Sequence, residues 1–281
     1  MHLIADSGST KTDWYFLSST GSYQLFQGSG MNPVTYSLLE LQQAIQQVLD
    51  HFPKASIQQI SFYGAGCAAA EAAEKMQQLL IAAFPNCSNI EVKSDLWATV
   101  RAFGKTVQAG FYCILGTGSN ACFFDGEQLI QLRPSLGYLL GDEGSANALG
   151  RQLIKDYLYK KMPSSLAQAF AQQFPIIQAP NFVAQLYAQE RPNAFLGQFS
   201  RFLSKNRENN YTEKALNSHF SDFICQQLLI FEAAKNYPIH FTGSIAAVFE
   251  PELQAALSAA QLQRAKILAS PLPTLLHYHL T

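Results

Sequence analysis

The sequence predicts an α/β protein built as two lobes with a ligand cleft between them. Three observations predict it. First, the 281 residues are 48% hydrophobic and only 14% charged, enough to bury the core of one large or two medium domains. Second, short β-rich runs alternate with helical stretches through the first half of the chain. Third, one strand–turn–strand opening occurs twice, about 110 residues apart. Ile4-Ala5-Asp6-Ser7-Gly8-Ser9 lies beside Ile114-Leu115-Gly116-Thr117-Gly118-Ser119, and each is followed by a β-aromatic run. Two copies of such a unit make two lobes, and a ligand usually sits between lobes.

The elements follow in order. Residues 2–5 are a short apolar strand, broken by Asp6-Ser7-Gly8-Ser9-Thr10-Lys11 and resumed as a β-rich segment at Trp14-Tyr15-Phe16-Leu17. Ser37 to His51 reads as a helix. Ser37 and Glu40 form a capping box, and Leu38, Leu41, Ile45, Val48 and Leu49 share one face. Ile57 to Tyr63 is a strand ending at Gly64-Ala65-Gly66. A second amphipathic helix covers roughly 68–84, with Met76, Leu79, Leu80 and Ala83 inward. Ile90 to Lys93 is a strand, and Ser94 or Asp95 caps a helix that Gly104 ends. Phe111 to Leu115 restarts the pattern, with a hairpin turn at Asp125-Gly126. Beyond residue 144 the chain is mainly helical, rich in Gln and Ala and punctuated by Pro163, Pro175, Pro180 and Pro192.

Composition narrows the function. A formal net charge of −1, with no basic run longer than two residues, offers nothing to a nucleic acid or an anionic membrane. No stretch approaches the ~18 apolar residues of a membrane span, and the N-terminus reads as a strand and not a signal peptide. Five cysteines without a C-x-x-C pair argue against a disulfide framework or a zinc ribbon, so a cytoplasmic protein is expected. The sequence leaves a homodimer open.

The two glycine turns carry the chemistry. A glycine turn between strands exposes backbone N–H groups, and neighbouring hydroxyls add donors, so Ser7 to Lys11 and Gly116 to Asn120 are candidate cradles for phosphate oxygens. Asp6 at a strand end could hold Mg²⁺ through water, and Lys11 could place a point charge on a β- or γ-phosphate.

Three blocks together carry a family resemblance: Asp6-Ser7-Gly8-Ser9-Thr10-Lys11-Thr12, Gly116-Thr117-Gly118-Ser119-Asn120 and Gly141-Asp142-Glu143-Gly144-Ser145. They resemble signatures of the BadF/BadG/BcrA/BcrD-type ATPase family, and within it the N-acetylglucosamine kinase-like branch of the sugar kinase/Hsp70/actin superfamily. The resemblance implies two ribonuclease-H-like (actin-like ATPase) lobes with a nucleotide cleft between them. The expected boundaries are 1–112 and 113–267, with about 268–281 returning to the first lobe. It also implies ATP and Mg²⁺ as cofactors and a small-molecule amino sugar as partner. Asp95 lands where these kinases place the catalytic carboxylate that accepts a sugar hydroxyl proton. Its other reading is a helix cap. Asn32, Gly137, Tyr138 and Asp142 match sugar-pocket positions, Asp6 and Asp142 match the metal positions, and Gly243 and Ser244 match an adenosine loop. Tyr138 stands where the family often has Trp, and Pro273-Thr274-Leu275-Leu276 where it commonly has a Gly-Ala pair.

Other readings fit less well. Gly104-Lys105-Thr106 resembles the end of a P-loop, but Thr99 occupies the first glycine's place and the segment closes a helix. Gly64-x-Gly66-x-x-Ala69 follows a strand and opens a helix like a dinucleotide fingerprint. It lacks the acidic residue about 20 positions on and comes after two earlier strands. A dehydratase-activator ATPase would need cluster cysteines in loops, whereas Cys113 and Cys122 fall on paired strands. A non-catalytic sugar or ATP sensor need not keep Asp6, Asp95 and Asp142 together.

Overall fold

The computed structural model describes residues 1–18, 21–52, 56–131 and 133–280. The chain divides into two compact units, Met1–Val107 with Pro271–Thr281 and Gln108–Ser270.

The first unit is a five-stranded sheet in the order β3-β2-β1-β4-β5. Its strands are β1 (His2–Ser7), β2 (Lys11–Leu17), β3 (Tyr23–Ser29), β4 (Gln59–Gly64) and β5 (Asn89–Ser94). The first three form an antiparallel meander, and β4 and β5 add in parallel beside β1. Leu3, Ile4 and Ala5 are fully buried in succession, because the central strand has a layer on both faces. Helices α1 (Leu38–His51) and α2 (Ala70–Ala83) cover one face. Helix α3 (Asp95–Arg101) and the C-terminal helix Leu272–Leu280 pack with Ile4, Tyr15 and Tyr63 on the other.

The predicted capping box on α1 is present: Glu40 N–H donates to Ser37 Oγ at 3.3 Å, and Ser37 N–H donates to Glu40 Oε2 at 2.8 Å. Its buried stripe is Leu41, Ala44, Ile45 and Val48. Leu38, expected inward, is 52% exposed in the first turn, and Leu49 is half-buried. Met76 and Leu80 of α2 are fully buried, with Leu79 and Ala83 packing at the margin. Ser94 occupies the N-cap of α3 without a side-chain cap bond, and Asp95 Oδ1 accepts from the adjacent Leu96 N–H, at 3.0 Å. The expected side-chain cap is therefore not formed. The helix also ends at Arg101, before Gly104.

The second unit repeats the plan in the order β10-β9-β6-β7-β8. Its strands are β6 (Gly110–Leu115), β7 (Ser119–Phe124), β8 (Leu129–Ile130), β9 (Ile239–Thr242) and β10 (Lys266–Leu268). Again a meander is extended by two parallel strands beside the first. The sequence echo is thus a repeated sheet topology, that of the actin-like ATPase fold. Its long helical insertion between β8 and β9 buries Phe170, Phe199, Phe202, Phe220 and Phe223 almost completely in one core. Each such side chain contributes about 1.5–3 kcal/mol of burial free energy. Among the described residues, no helix is long and apolar enough to cross a membrane.

Candidate active site

In the first unit the strand register sets the site. Ser7 pairs with Gly64, and Gly64 with Ser94, so β1, β4 and β5 end level. Asp6 and Asp95 therefore stand at the same end of the sheet with β4 between them. Both are half-buried. Burial, reinforced by the Asp95 and Asp13 carboxylates, pushes Asp6 up to about 7. Burial pushes Asp95 up to about 6, against the pull of the Leu96 N–H. Among the described residues no ion pair involves either carboxylate.

The turn between β1 and β2 is held by Gly8 N–H donating to the Lys11 carbonyl at 3.0 Å. Ser7 is fully buried. Its hydroxyl is hydrogen-bonded to Thr12 Oγ1 at 2.8 Å and accepts from Met31 N–H at 3.1 Å. The Ser7 hydroxyl thus ties the turn to the segment after β3. Lys11 lies one side-chain step from Asp13 on the same strand face and pairs with it at 2.7 Å. Its ammonium is engaged there, not at the turn. Tyr36 OH donates to the Ser9 carbonyl at 3.0 Å and Gly30 N–H to the Thr10 carbonyl at 3.2 Å, closing the segment that carries Asn32 over the turn.

Asn32 is buried, and its Oδ1 accepts from Val34 N–H at 2.9 Å. It sits on Gly66, whose φ is +84° and where a Cβ would come within 2.1 Å of Asn32 Oδ1. Gly66 therefore makes room for Asn32, while Gly64 makes room for the side chains of Phe62 and Cys67.

The second unit builds a matching end. Gly116 N–H donates to the Gly118 carbonyl at 2.9 Å, closing the β6–β7 turn. Asp142, at φ +63°, reaches this turn and accepts from Ser119 N–H at 3.2 Å. Asn147 Nδ2 donates to both Asp142 Oδ2 (2.6 Å) and the Thr117 carbonyl (2.7 Å). Burial raises the Asp142 pKa, and these two donors partly offset the rise. The Gly141–Ser145 block leads into helix α5 (Ala146–Leu158), which Ser145 caps through Ala148 N–H at 3.3 Å. Gly243 brings its loop onto the same turn. Its φ is +118°, and a Cβ there would lie 2.3 Å from the Leu115 carbonyl oxygen. Ser244 opens the short helix Ser244–Val248 that follows.

Gly116 to Ser119, Asp142 and Gly243 therefore converge in this unit, with Ser244 next along the chain. The Asn120 side chain is turned aside, accepting from Ala121 N–H and Gln131 Nε2. Gly137 and Tyr138 lie in helix α4 (Gly137–Leu140). Arg151 holds that segment by donating to the Tyr138 carbonyl at 2.5 Å. Asn147 escaped the sequence reading, and Thr12 entered it only as the last residue of the Asp6–Thr12 block, without a role. Asn147 sits only five residues past Asp142, but nothing local marks an Asn as a turn-holder.

The carboxylates suit a divalent cation, because Asp6 and Asp95 crowd negative charge with no paired cation. Among the described residues no three His, Cys, Asp or Glu side chains cluster as a metal site. A Mg²⁺ ion would accordingly take most of its ligands from water and phosphate oxygens, as that ion prefers.

The raised Asp6 pKa has a consequence for stability. The folded state holds the proton more tightly than the unfolded chain, so stability falls as pH rises from about 4 through about 7. Asp6→Asn should stabilise the ligand-free protein by about 1–3 kcal/mol at pH 8 and by almost nothing at pH 4. Thermal melts at the two pH values measure this; equal shifts at both would contradict the buried-charge account.

No protein-family model matches the chain, and no curated protein matches it in sequence. Solved structures do. A Porphyromonas gingivalis protein, provisionally named an N-acetylglucosamine kinase, is 35% identical, with 99% of this chain and 98% of that one aligned and a TM-score of 0.90. A Chromobacterium violaceum protein of the same provisional name shares the fold at 17% identity, covering 99% and 98% of the two chains with a TM-score of 0.75. A ROK family glucokinase from Streptomyces griseus, solved with glucose and AMPPNP, shares it at 13% identity, covering 98% and 97% with a TM-score of 0.58. At 35% identity over nearly the whole of both chains, this protein belongs to the family of the P. gingivalis protein, a sugar-kinase family of the actin-like ATPase fold.

Proposed function

We propose that the protein is an ATP-dependent kinase that phosphorylates a hydroxyl of an amino sugar, N-acetylglucosamine first among them. The observation that carries this is Asp95: a half-buried carboxylate at a strand end, without a cationic partner among the described residues, raised to about 6. Such a group is ionised at neutral pH yet basic enough to take a hydroxyl proton as the oxygen attacks a phosphoryl group. Asn32, in the same unit, is assigned to supply an amide that orients the sugar.

Backbone N–H groups and hydroxyls of the turn at Gly8 to Thr10 and of the turn at Gly116 to Ser119 are assigned to phosphate oxygens. Asp6 and Asp142 are assigned to Mg²⁺, held largely through water; when bound, the ion offsets phosphate charge. Gly243 and Ser244 are assigned to the adenosine, and Gly137 and Tyr138 to the sugar. The P. gingivalis relative's provisional name supports the amino-sugar acceptor.

The test is coupled ADP release over N-acetylglucosamine, glucosamine, N-acetylmuramic acid, N-acetylmannosamine and glucose. Selective turnover of one amino sugar is expected, because a few polar contacts discriminate such analogues. A flat response with ATP still bound would sink the kinase reading and favour an activator or a sensor.

A further inference from the structure

We infer that Asn147 is a positioning residue that locks Asp142 against the Gly116–Asn120 turn and so shapes the second unit's nucleotide-phosphate site. The inference rests on the kinase reading only in what it takes that turn to bind.

Asn147 is 0% exposed, at the second position of α5. Its backbone N–H donates to the Thr117 carbonyl at 3.1 Å, and its Nδ2 donates to that same carbonyl and to Asp142 Oδ2. One residue thus spends three hydrogen bonds on joining the turn to the carboxylate. The amide can face only this way. Reversed, its oxygen would oppose a carbonyl and a carboxylate, both acceptors.

The opposite end of the amide shows that general packing does not explain it. Asn147 Oδ1 is buried with no hydrogen-bond partner among the described residues, an arrangement that disfavours folding. An apolar side chain of similar size would avoid that loss. Asp142 is the beneficiary. It holds a left-handed backbone conformation, and its carboxylate is fixed from two sides, by Ser119 N–H on Oδ1 and Asn147 on Oδ2. Without Asn147 the carboxylate keeps one anchor and can swing away from the turn.

The test separates binding from stability. Mg-ADP affinity is measured by calorimetry for the wild type, Asn147→Leu, Asp142→Ala and the double variant, alongside thermal melts. Asn147→Leu removes both the donor and the orphaned oxygen. It should keep a near-wild-type melting temperature while binding Mg-ADP about 10–100-fold more weakly. In the Asp142→Ala background the same change should cost no further affinity. Asn147→Ser, which retains a short donor, should recover part of the loss and is also the variant to measure should the Leu variant not fold.

Wild-type affinity in a folded Asn147→Leu variant, or in Asn147→Ser where the Leu variant does not fold, or losses that multiply in the double variant, would overturn the inference. A wild type that binds Mg-ADP but phosphorylates no sugar would sink the kinase reading and leave this cycle readable. A wild type that binds no Mg-ADP would overturn both.

Discussion

Asp95→Asn should slow sugar phosphorylation by about 10²–10⁴-fold while leaving ATP affinity within a few-fold of wild type. The carboxylate is at the sheet end where β5 meets α3, and Asn keeps its size while removing its ability to take a proton. The fold should tolerate the change. The N-cap is Ser94, which makes no side-chain cap bond, and the Asp95 carboxylate accepts from Leu96 N–H, a bond that an Asn oxygen can also accept. Removing a half-buried charge whose pKa is raised to about 6 even relieves the folded state above that pH. The wild-type rate carries a matching signature. Because the base must be ionised, kcat/KM should fall about tenfold per pH unit below about 6, and the residual Asp95→Asn rate should lack that limb. Steady-state kinetics from pH 5 to 8 measure both. Near-normal turnover in the variant would leave Asp95 as a structural residue and require another base.

Gly243→Ala should unsettle the second unit severely. The backbone there has φ +118°, a region that side chains avoid, and the added Cβ would lie 2.3 Å from the Leu115 oxygen and 2.6 Å from its carbon. Conformational strain and overlap together amount to about 2–6 kcal/mol. For a unit of this size that is a drop in melting temperature of roughly 5–20 °C. The damage would centre where Thr242 pairs with Ile114 and where Gly243 N–H donates to the Leu268 carbonyl. Hydrogen exchange on β6 and β9 would locate it, and ADP affinity should fall with it because Leu115 leads into the turn proposed to hold phosphate. An alanine variant that melts with the wild type would show the loop to be free to move aside.

Much of this was legible locally. The echo between Ile4–Ser9 and Ile114–Ser119 announced a repeated sheet, because a buried strand ending in a glycine turn is written in a few consecutive residues. The Ser37–Glu40 box and the Met76–Leu80 stripe were equally local, set by a backbone period of 3.6 residues. Other features were not local. Ser7 looks like any turn serine until β2 sets Thr12 opposite it and the segment after β3 brings Met31 N–H to its hydroxyl. Lys11 shows no partner in its local sequence until the strand pleat aligns it with Asp13. Asn147 looks like an ordinary residue in the first turn of a helix.

The sequence by itself determined the repeated strand–turn–strand units, their helices and the identities of the three acids, since these follow from neighbours along the chain. Only the tertiary structure decided that Asp6 and Asp95 share one sheet end and that Asn147 clamps Asp142. It alone decided that the Ser7 hydroxyl is spent inside the fold. Burial, pKa and hydrogen-bond partners depend on groups brought close by strand register and helix packing, and no local pattern encodes those distances.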